Sequence, residues 1–213
     1  MDTISARIGL IGDPHATPEP LAEALALFRQ EKVGAIWCTG DIAGYGEHLD
    51  ETAVLLKDNG CRVIKGNHEQ WYLEKANHKE ASPTNVYIKS LPQVIHEEIE
   101  GTRLYLVHAS PPQSMTEGMR LLDQDGTVIE EEKQAWTDRL AHFDHDVLIV
   151  GHTHQVFAEQ LGQTLVINPG STRFNHCCAV LSLPNITIKW FSLSGQKITY
   201  TWNWGDEFNR LIK

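Results

Sequence analysis

Five short polar motifs each close a short apolar run: Asp13-Pro14-His15, Gly40-Asp41, Gly66-Asn67-His68-Glu69, His108 and Gly151-His152-Thr153-His154. Together they carry two aspartates, one asparagine and five histidines. Carboxylate oxygen and imidazole nitrogen both suit manganese, iron, zinc and nickel. Asp13 with His15, and His152 with His154, are spaced i and i+2, which puts both side chains on one face of an extended segment. An aspartate such as Asp41 can give one oxygen to each of two metals roughly 3.5–4 Å apart. Asn67 adds a neutral carbonyl oxygen. A cluster so rich in histidine and poor in carboxylate keeps the metals electrophilic, which suits hydrolysis through a charged, phosphorane-like transition state.

One such motif is weak evidence, because a lone histidine is more often a satisfied core or surface residue than a ligand. The joint placement carries the argument. All five histidines fall at the ends of strand-like runs, where open α/β sheets place their ligands. The other six, His48, His78, His96, His142, His145 and His176, lie outside the motifs and take the ordinary reading. Tyr45 and Arg173 follow the motifs closely and are candidates to face a substrate, with Arg173 suited to a phosphate oxygen. Gly40, Gly66 and Gly151 read as residues that allow sharp strand-to-loop turns. Trp190, Trp202 and Trp204 read as sheet packing rather than base stacking, and Glu130, Glu131 and Glu132 as a solvated face.

The elements that would position these residues follow from periodicity. Residues 7–12 are a strand, Pro18–Gln30 a helix, 33–39 a strand, 49–59 a helix that stops at Gly60, and 61–65 a strand. This β-α-β-α-β order predicts a largely parallel sheet. Residues 70–80 read as helical and give way to a polar segment around Ser82-Pro83. Residues 94–100 and 102–107 read as a hairpin across Gly101. The stretch 111–142 holds an Asp-Gly turn near Asp125-Gly126 and a helix running to Leu140. Strands follow at 146–150, 164–167, 179–183, 186–193 and 197–202, which suggests a second, mainly antiparallel sheet. Loops 44–49 and 111–142 are expected to shape specificity.

Bulk properties agree with one sizeable core. The chain has 213 residues, with 41% hydrophobic and 22% charged. Its 28 acidic and 18 basic residues give a formal net charge of −10, which argues against a broad nucleic-acid surface. A small phosphate ligand is compatible with that charge, because a metal pair brings its own positive field. The four cysteines form no C-x-x-C motif, and Cys177 and Cys178 are adjacent, so reduced thiols and a cytoplasmic setting are expected. No run reaches the ~20 apolar residues of a membrane span, and the N-terminus lacks a signal peptide's pattern.

These motifs, in this order, resemble the calcineurin-like metallophosphoesterases. The later Asn168-Pro169-Gly170-Ser171 and the spacing from Gly151 resemble their small bacterial and archaeal phosphodiesterase branch. The resemblance implies a single domain over residues 1–213. Its fold would be α+β with an α/β-like first half: a four-layer αββα sandwich of two mixed β-sheets flanked by helices. It implies a first metal held by Asp13, His15 and His154, a second by Asn67, His108 and His152, and Asp41 between them. A metal-bridging hydroxide would attack phosphorus in line, and His68 would protonate the leaving oxygen. Asn67 would also touch substrate. The implied cofactors are two divalent transition metal ions, manganese first, with iron, zinc, nickel or magnesium as alternatives. The implied substrate is a small-molecule or nucleotide phosphodiester, with dinucleoside polyphosphates and phosphoproteins as alternatives. A non-catalytic scaffold on the same fold is the reading from another class. No membrane partner is expected, and an oligomer is compatible with the chain. The protein-phosphatase branch carries an acidic residue that orients the catalytic histidine; this chain has Gly44 there, so His68 needs another support.

Overall fold

A computed structural model describes residues 6–75 and 82–203. In chain order the elements are β1 (Arg7–Ile11), α1 (Pro18–Gln30), β2 (Ala35–Cys38), α2 (Leu49–Asp58), β3 (Arg62–Val63), α3 (Asn67–Lys75), α4 (Pro83–Ser90), β4 (Val94–Ile99), β5 (Thr102–Val107), α5 (Glu130–Arg139), β6 (Val147–Ile149), β7 (Val156–Leu161), β8 (Thr164–Pro169), β9 (Cys177–Ser182) and β10 (Thr187–Ser192). They form two five-stranded sheets, ordered β10-β9-β1-β2-β3 and β4-β5-β6-β8-β7.

Side-chain alternation builds the layers. In β1, Ile8 and Leu10 face the second sheet, where Leu104, Leu106, Val147 and Ile149 meet them. The opposite face carries Ile11, packed with Leu21, Leu25 and Phe28 of α1, Leu56 of α2 and Ile88 of α4. The outer face of the second sheet presents Val107, Leu148 and Val150 to Trp136 of α5 and to Leu140. Period-2 burial thus gives three apolar seams and the expected αββα order, with helices outside and two mixed sheets inside.

The first half folds as its pattern predicts, with β1, β2 and β3 parallel. The second sheet is not mainly antiparallel. β5, β6 and β8 run parallel, and only the outer strands β4 and β7 run against their neighbours. The C-terminal strands β9 and β10 join the first sheet instead, antiparallel to β1 and to each other. Their sequence explains this: five of the six residues of β9 are buried, so it needs partners on both edges. The segment 197–202 forms no ladder. It crosses two loops, with single backbone bonds from Thr199 N–H to Asn175 O, Val156 N–H to Tyr200 O and Trp202 N–H to His154 O.

Two elements went unread in the sequence. Helix α4 starts on Ser82, whose hydroxyl accepts from Asn85 N–H at 3.1 Å, with Pro83 in the first turn. That pair is a helix-start signal. Strand β7 is the other. The Asp-Gly turn is present: Gly126 N–H donates to Asp123 O beside a Leu122–Val128 bridge. Helix α3 ends at Lys75, and positions 76–80 of the expected helix lie outside the described residues. Glu130, Glu131 and Glu132 are exposed in the first turn of α5, where acidic groups complement the helix dipole. The four cysteines are free thiols, three of them buried. Among the described residues no helix is long and apolar enough to cross a membrane.

Candidate metal centre

The C-terminal ends of β1, β2 and β5 and the loops after β3 and β6 bring the motifs to one place. Donor atoms of Asp13, His15 and His154 lie within 4.8 Å of one another, as do those of Asp41, His108 and His152. A third overlapping group, His15, Asp41 and His68, links the first two. Asn67 completes the second: its Oδ1 is 2.9 Å from His108 Nε2 and 3.0 Å from His152 Nδ1. All seven expected ligands therefore converge.

The means of convergence differs from the extended geometry expected of Asp-x-His and His-x-His. Asp13, His15, Asp41, His152 and His154 all have positive φ, between 31° and 66°. Non-glycine residues rarely adopt this backbone, and such strain gathers at functional sites. The loops leave the sheet edge at once and curl, so it is turn geometry and not strand alternation that aims the side chains. Gly66 and Gly151 are also not positive-φ turns; of the three motif glycines only Gly40 is, at 96°. Gly66 is glycine for space: a β-carbon there would stand 2.2 Å from Asp41 Oδ1.

Outer contacts fix which atom of each ligand faces inward. The Nδ1–H of His15 donates to Ala43 O at 2.9 Å and that of His108 to Thr39 O at 2.7 Å, because a carbonyl only accepts. In the neutral ring each Nε2 then has its lone pair aimed into the cluster, the usual device for orienting a metal-binding imidazole. His15 Nε2 meets His154 Nε2 at 2.9 Å, and His108 Nε2 meets Asp41 Oδ2 at 3.3 Å. Asp13 Oδ1 accepts from the Thr39 hydroxyl at 2.6 Å and Oδ2 from His152 N–H at 2.8 Å.

Electrostatics point the same way. Burial lowers the imidazoles of His15, to about 3, and His152, to about 4, keeping both neutral. Burial alone would raise the carboxyls of Asp13 and Asp41, yet His154 and His108 hold them lowered and ionised. Burial would also lower His108, but Asp41 pushes it up to about 10. The cluster thus demands positive charge at its centre. A divalent ion would supply that charge with His108 neutral, because binding a metal displaces the proton. The donor set fits such ions.

Two supporting residues carried no role in the sequence reading. Glu69 is fully buried; its Oε2 accepts from Asp41 N–H and Gly66 N–H and its Oε1 from Ala43 N–H, each at 2.8 Å. It ties the Asp41 loop to the start of α3. A glutamate three residues after a helix N-cap is a readable capping signal. Burial, with Asp41 nearby, raises its carboxyl to about 7. Thr39 is the other, buried and bonded to Asp13 and His108.

His68 lies beside the cluster, its N–H donating to Asp41 Oδ1 at 2.9 Å. Its ring packs against His15, Tyr45 and Trp71 at centroid distances of 4.8, 4.9 and 5.0 Å. Tyr45 is exposed at this rim. One guanidinium nitrogen of Arg173 donates to His15 O at 3.2 Å and to the Thr17 hydroxyl at 3.0 Å, bracing the first loop. Trp202 does not pack in a sheet. It stacks on Phe174 at 3.9 Å and lies 5.0 Å from His154. Trp190 packs on the inter-sheet core as expected; Trp204 is outside the described residues. A cavity of about 540 Å³ adjoins the site, sharing Trp202 and Thr153 with it.

A family model, the calcineurin-like phosphoesterase superfamily domain, matches residues 6–183. In sequence the chain is 26% identical over 183 residues to an uncharacterized protein of Methanocaldococcus jannaschii, spanning 78% of this chain and 70% of that one. It is structurally similar to a hypothetical protein from Pyrococcus horikoshii, with a TM-score of 0.69 and 15% identity over 97% of this chain and 92% of that one. It is also similar to YfcE, a phosphoesterase from E. coli, with a TM-score of 0.52 and 19% identity over 88% and 100%. At such identities the structural likeness is one of fold.

Proposed function

The chain belongs to the calcineurin-like phosphoesterase superfamily, and from that membership and its buried donor cluster we propose that it is a dinuclear-metal-dependent phosphodiesterase for small or nucleotide-like phosphoesters. The observation that carries the proposal is the pair of donor groups, Asp13-His15-His154 and Asp41-His108-His152, with Asn67 closing the second. In this reading Asp41 serves both metals. When bound, the metals supply Lewis acidity that lowers the pKa of water and offsets charge on phosphoryl oxygens.

The chain's own residues do the positioning. Ala43 O and Thr39 O hold the imidazoles of His15 and His108 with Nε2 inward. Glu69 fixes the backbone that carries Asp41. His68, at the rim and anchored through its N–H to Asp41, gives a proton to the departing alkoxide. Burial lowers its imidazole pKa, which makes the imidazolium a better proton donor while reducing its share at neutral pH.

The test begins with metal. Purified protein should hold about two transition metal ions, and Mn²⁺ should support hydrolysis of bis-p-nitrophenyl phosphate. Stripped protein that stays inactive after reconstitution with Mn²⁺, Ni²⁺ and Zn²⁺ would sink the enzyme reading. Asp41→Asn should remove nearly all activity; wild-type turnover in that variant would remove Asp41 from its shared role. A panel of diesters, monoesters, cyclic nucleotides and dinucleoside polyphosphates with Mn²⁺ then ranks the substrate classes.

A further inference from the structure

We propose that the mouth of the site binds the base of a nucleoside leaving group, whose sugar oxygen departs from phosphorus, through Tyr45 and Trp71 flanking His68. The proposal rests on the phosphoesterase reading and specifies the substrate class it takes.

Five large hydrophobic residues are exposed among the described residues: Tyr45, Val54, Trp71, Val86 and Tyr200. Two of these five flank one imidazole. Tyr45 and Trp71 are each 44% exposed, and their rings lie 4.9 and 5.0 Å from that of His68. Scattered exposed apolar residues need no explanation, but aromatic rings gathered at a polar site do.

Tyr45 is held there in a strained backbone conformation. Its φ is +58°, a left-handed conformation that is unfavourable for a bulky residue. It is bracketed by Gly44 and Gly46, and a β-carbon at Gly46 would stand 2.3 Å from Ala16 O, so the loop is locked against the Asp13-His15 loop. The ring is buttressed edge-on by His15 at 4.7 Å and Phe174 at 5.3 Å. Phe174 in turn stacks on Trp202. A strained, buttressed and yet exposed ring is a preformed surface. Trp71 stands on the first turns of α3, the helix that also carries Asn67 and His68. Both rings therefore keep a fixed relation to the group that protonates the leaving oxygen.

The chemistry of this mouth is selective. Alkyl esters gain little from aromatic walls, whereas a base gains stacking, typically 1–3 kcal/mol per base. Stacking also gives affinity independent of the chain's net charge of −10.

The experiment is equilibrium calorimetry on the Mn²⁺-loaded protein with adenosine 5′-monophosphate and ribose 5-phosphate, which differ only by the base. Wild type should bind the nucleotide about tenfold more tightly. Trp71→Ala should erase most of that ratio, and Tyr45→Leu should act the same way with metal content measured alongside. Equal affinity for the two ligands in the wild type overturns the proposal, as does an unaltered ratio in Trp71→Ala. If wild type binds neither ligand and hydrolyses no ester, the phosphoesterase reading itself falls and takes the proposal with it. Because Trp71 is exposed and is not one of the seven expected ligands, its variant keeps the test open should Tyr45→Leu misfold.

Discussion

Gly44 and His68 compete for one volume: a β-carbon on Gly44 would stand 2.0 Å from His68 Nδ1 and 2.8 Å from Cε1. The position that carries an orienting carboxylate in the protein-phosphatase branch is, in this chain, the surface the imidazole rests on. The imidazole of His68 packs between Gly44, His15, Tyr45 and Trp71, while its backbone N–H is anchored on Asp41 Oδ1.

Gly44→Ala should therefore behave as a catalytic lesion and not a metal lesion. The methyl group must displace the ring, and φ at Gly44 is +84°, which adds backbone strain. A positioned general acid contributes typically 10²–10⁴-fold, so kcat on a Mn²⁺-supported diester should fall by about 10²-fold or more in both Gly44→Ala and His68→Ala. Metal content by elemental analysis should stay at the wild-type level. His68 also lies in a donor group with His15 and Asp41. Loss of a metal equivalent in His68→Ala would make it a ligand instead.

Glu69 should prove a structural keystone for the centre. Glu69→Ala leaves the N–H groups of Asp41, Ala43 and Gly66 buried without this acceptor. Each orphaned buried donor costs about 1–3 kcal/mol, so the variant should lose about 3 kcal/mol or more of stability in urea denaturation. Glu69→Gln should rescue only partly, because its amide NH₂ must face at least one of these donors. Metal affinity should fall in both variants, since the Asp41 backbone is no longer fixed. Wild-type stability in Glu69→Ala would refute the clamp.

The residues of the centre were legible in sequence because ligand chemistry restricts residue type: Asp13, His15, Asp41, Asn67, His108, His152 and His154 all meet where the strand-end rule puts them. The local geometry was not legible. Asp-x-His spacing is compatible with both an extended strand and a left-handed turn, and only the close approach of neighbouring loops selects the turn. Helix α4 was hidden in a polar segment despite its Ser-Pro start. The C-terminal strands join the first sheet and not the second; strand patterning records burial but not partner. Trp202 differs for a related reason: apolar content at 197–202 suggests a ladder, while the segment gives its backbone to single bonds with the site loops.

Trp202 should matter to the centre although it bears no ligand. Its ring packs on Phe174 and His154, and its N–H donates to His154 O at 3.2 Å. Trp202→Ala keeps the backbone bond but removes the ring that confines His154. Lost aromatic packing of this kind costs about 1–3 kcal/mol, and part of that loss falls on the ordering of His154. Calorimetric Mn²⁺ titration should show one of two binding events weakened several-fold, the other little changed. Uniform weakening of both would mean a general loosening of the fold.

Metal binding should be visible as stability. Donor atoms crowd at the centre, with His15 Nε2 2.9 Å from His154 Nε2 and His108 Nε2 3.3 Å from Asp41 Oδ2. Each of these contacts needs a hydrogen between its two atoms, which a bound metal would displace. An ion that binds the folded state and not the unfolded chain at 100 times its Kd stabilises by about 2.7 kcal/mol. For a chain of 213 residues that corresponds to about 5–10 °C in Tm, at about 2–4 °C per kcal/mol. Chelator-stripped protein titrated with Mn²⁺ should show such a rise by calorimetry, and Asp41→Asn should lose most of it because, in the proposed reading, that side chain serves both metals. Mg²⁺ should give a smaller shift at equal concentration, since an imidazole-rich set favours Mn²⁺ over a hard oxygen-seeking ion. A stripped protein whose Tm ignores Mn²⁺ and Zn²⁺ alike would show that the convergence of these side chains is structural only.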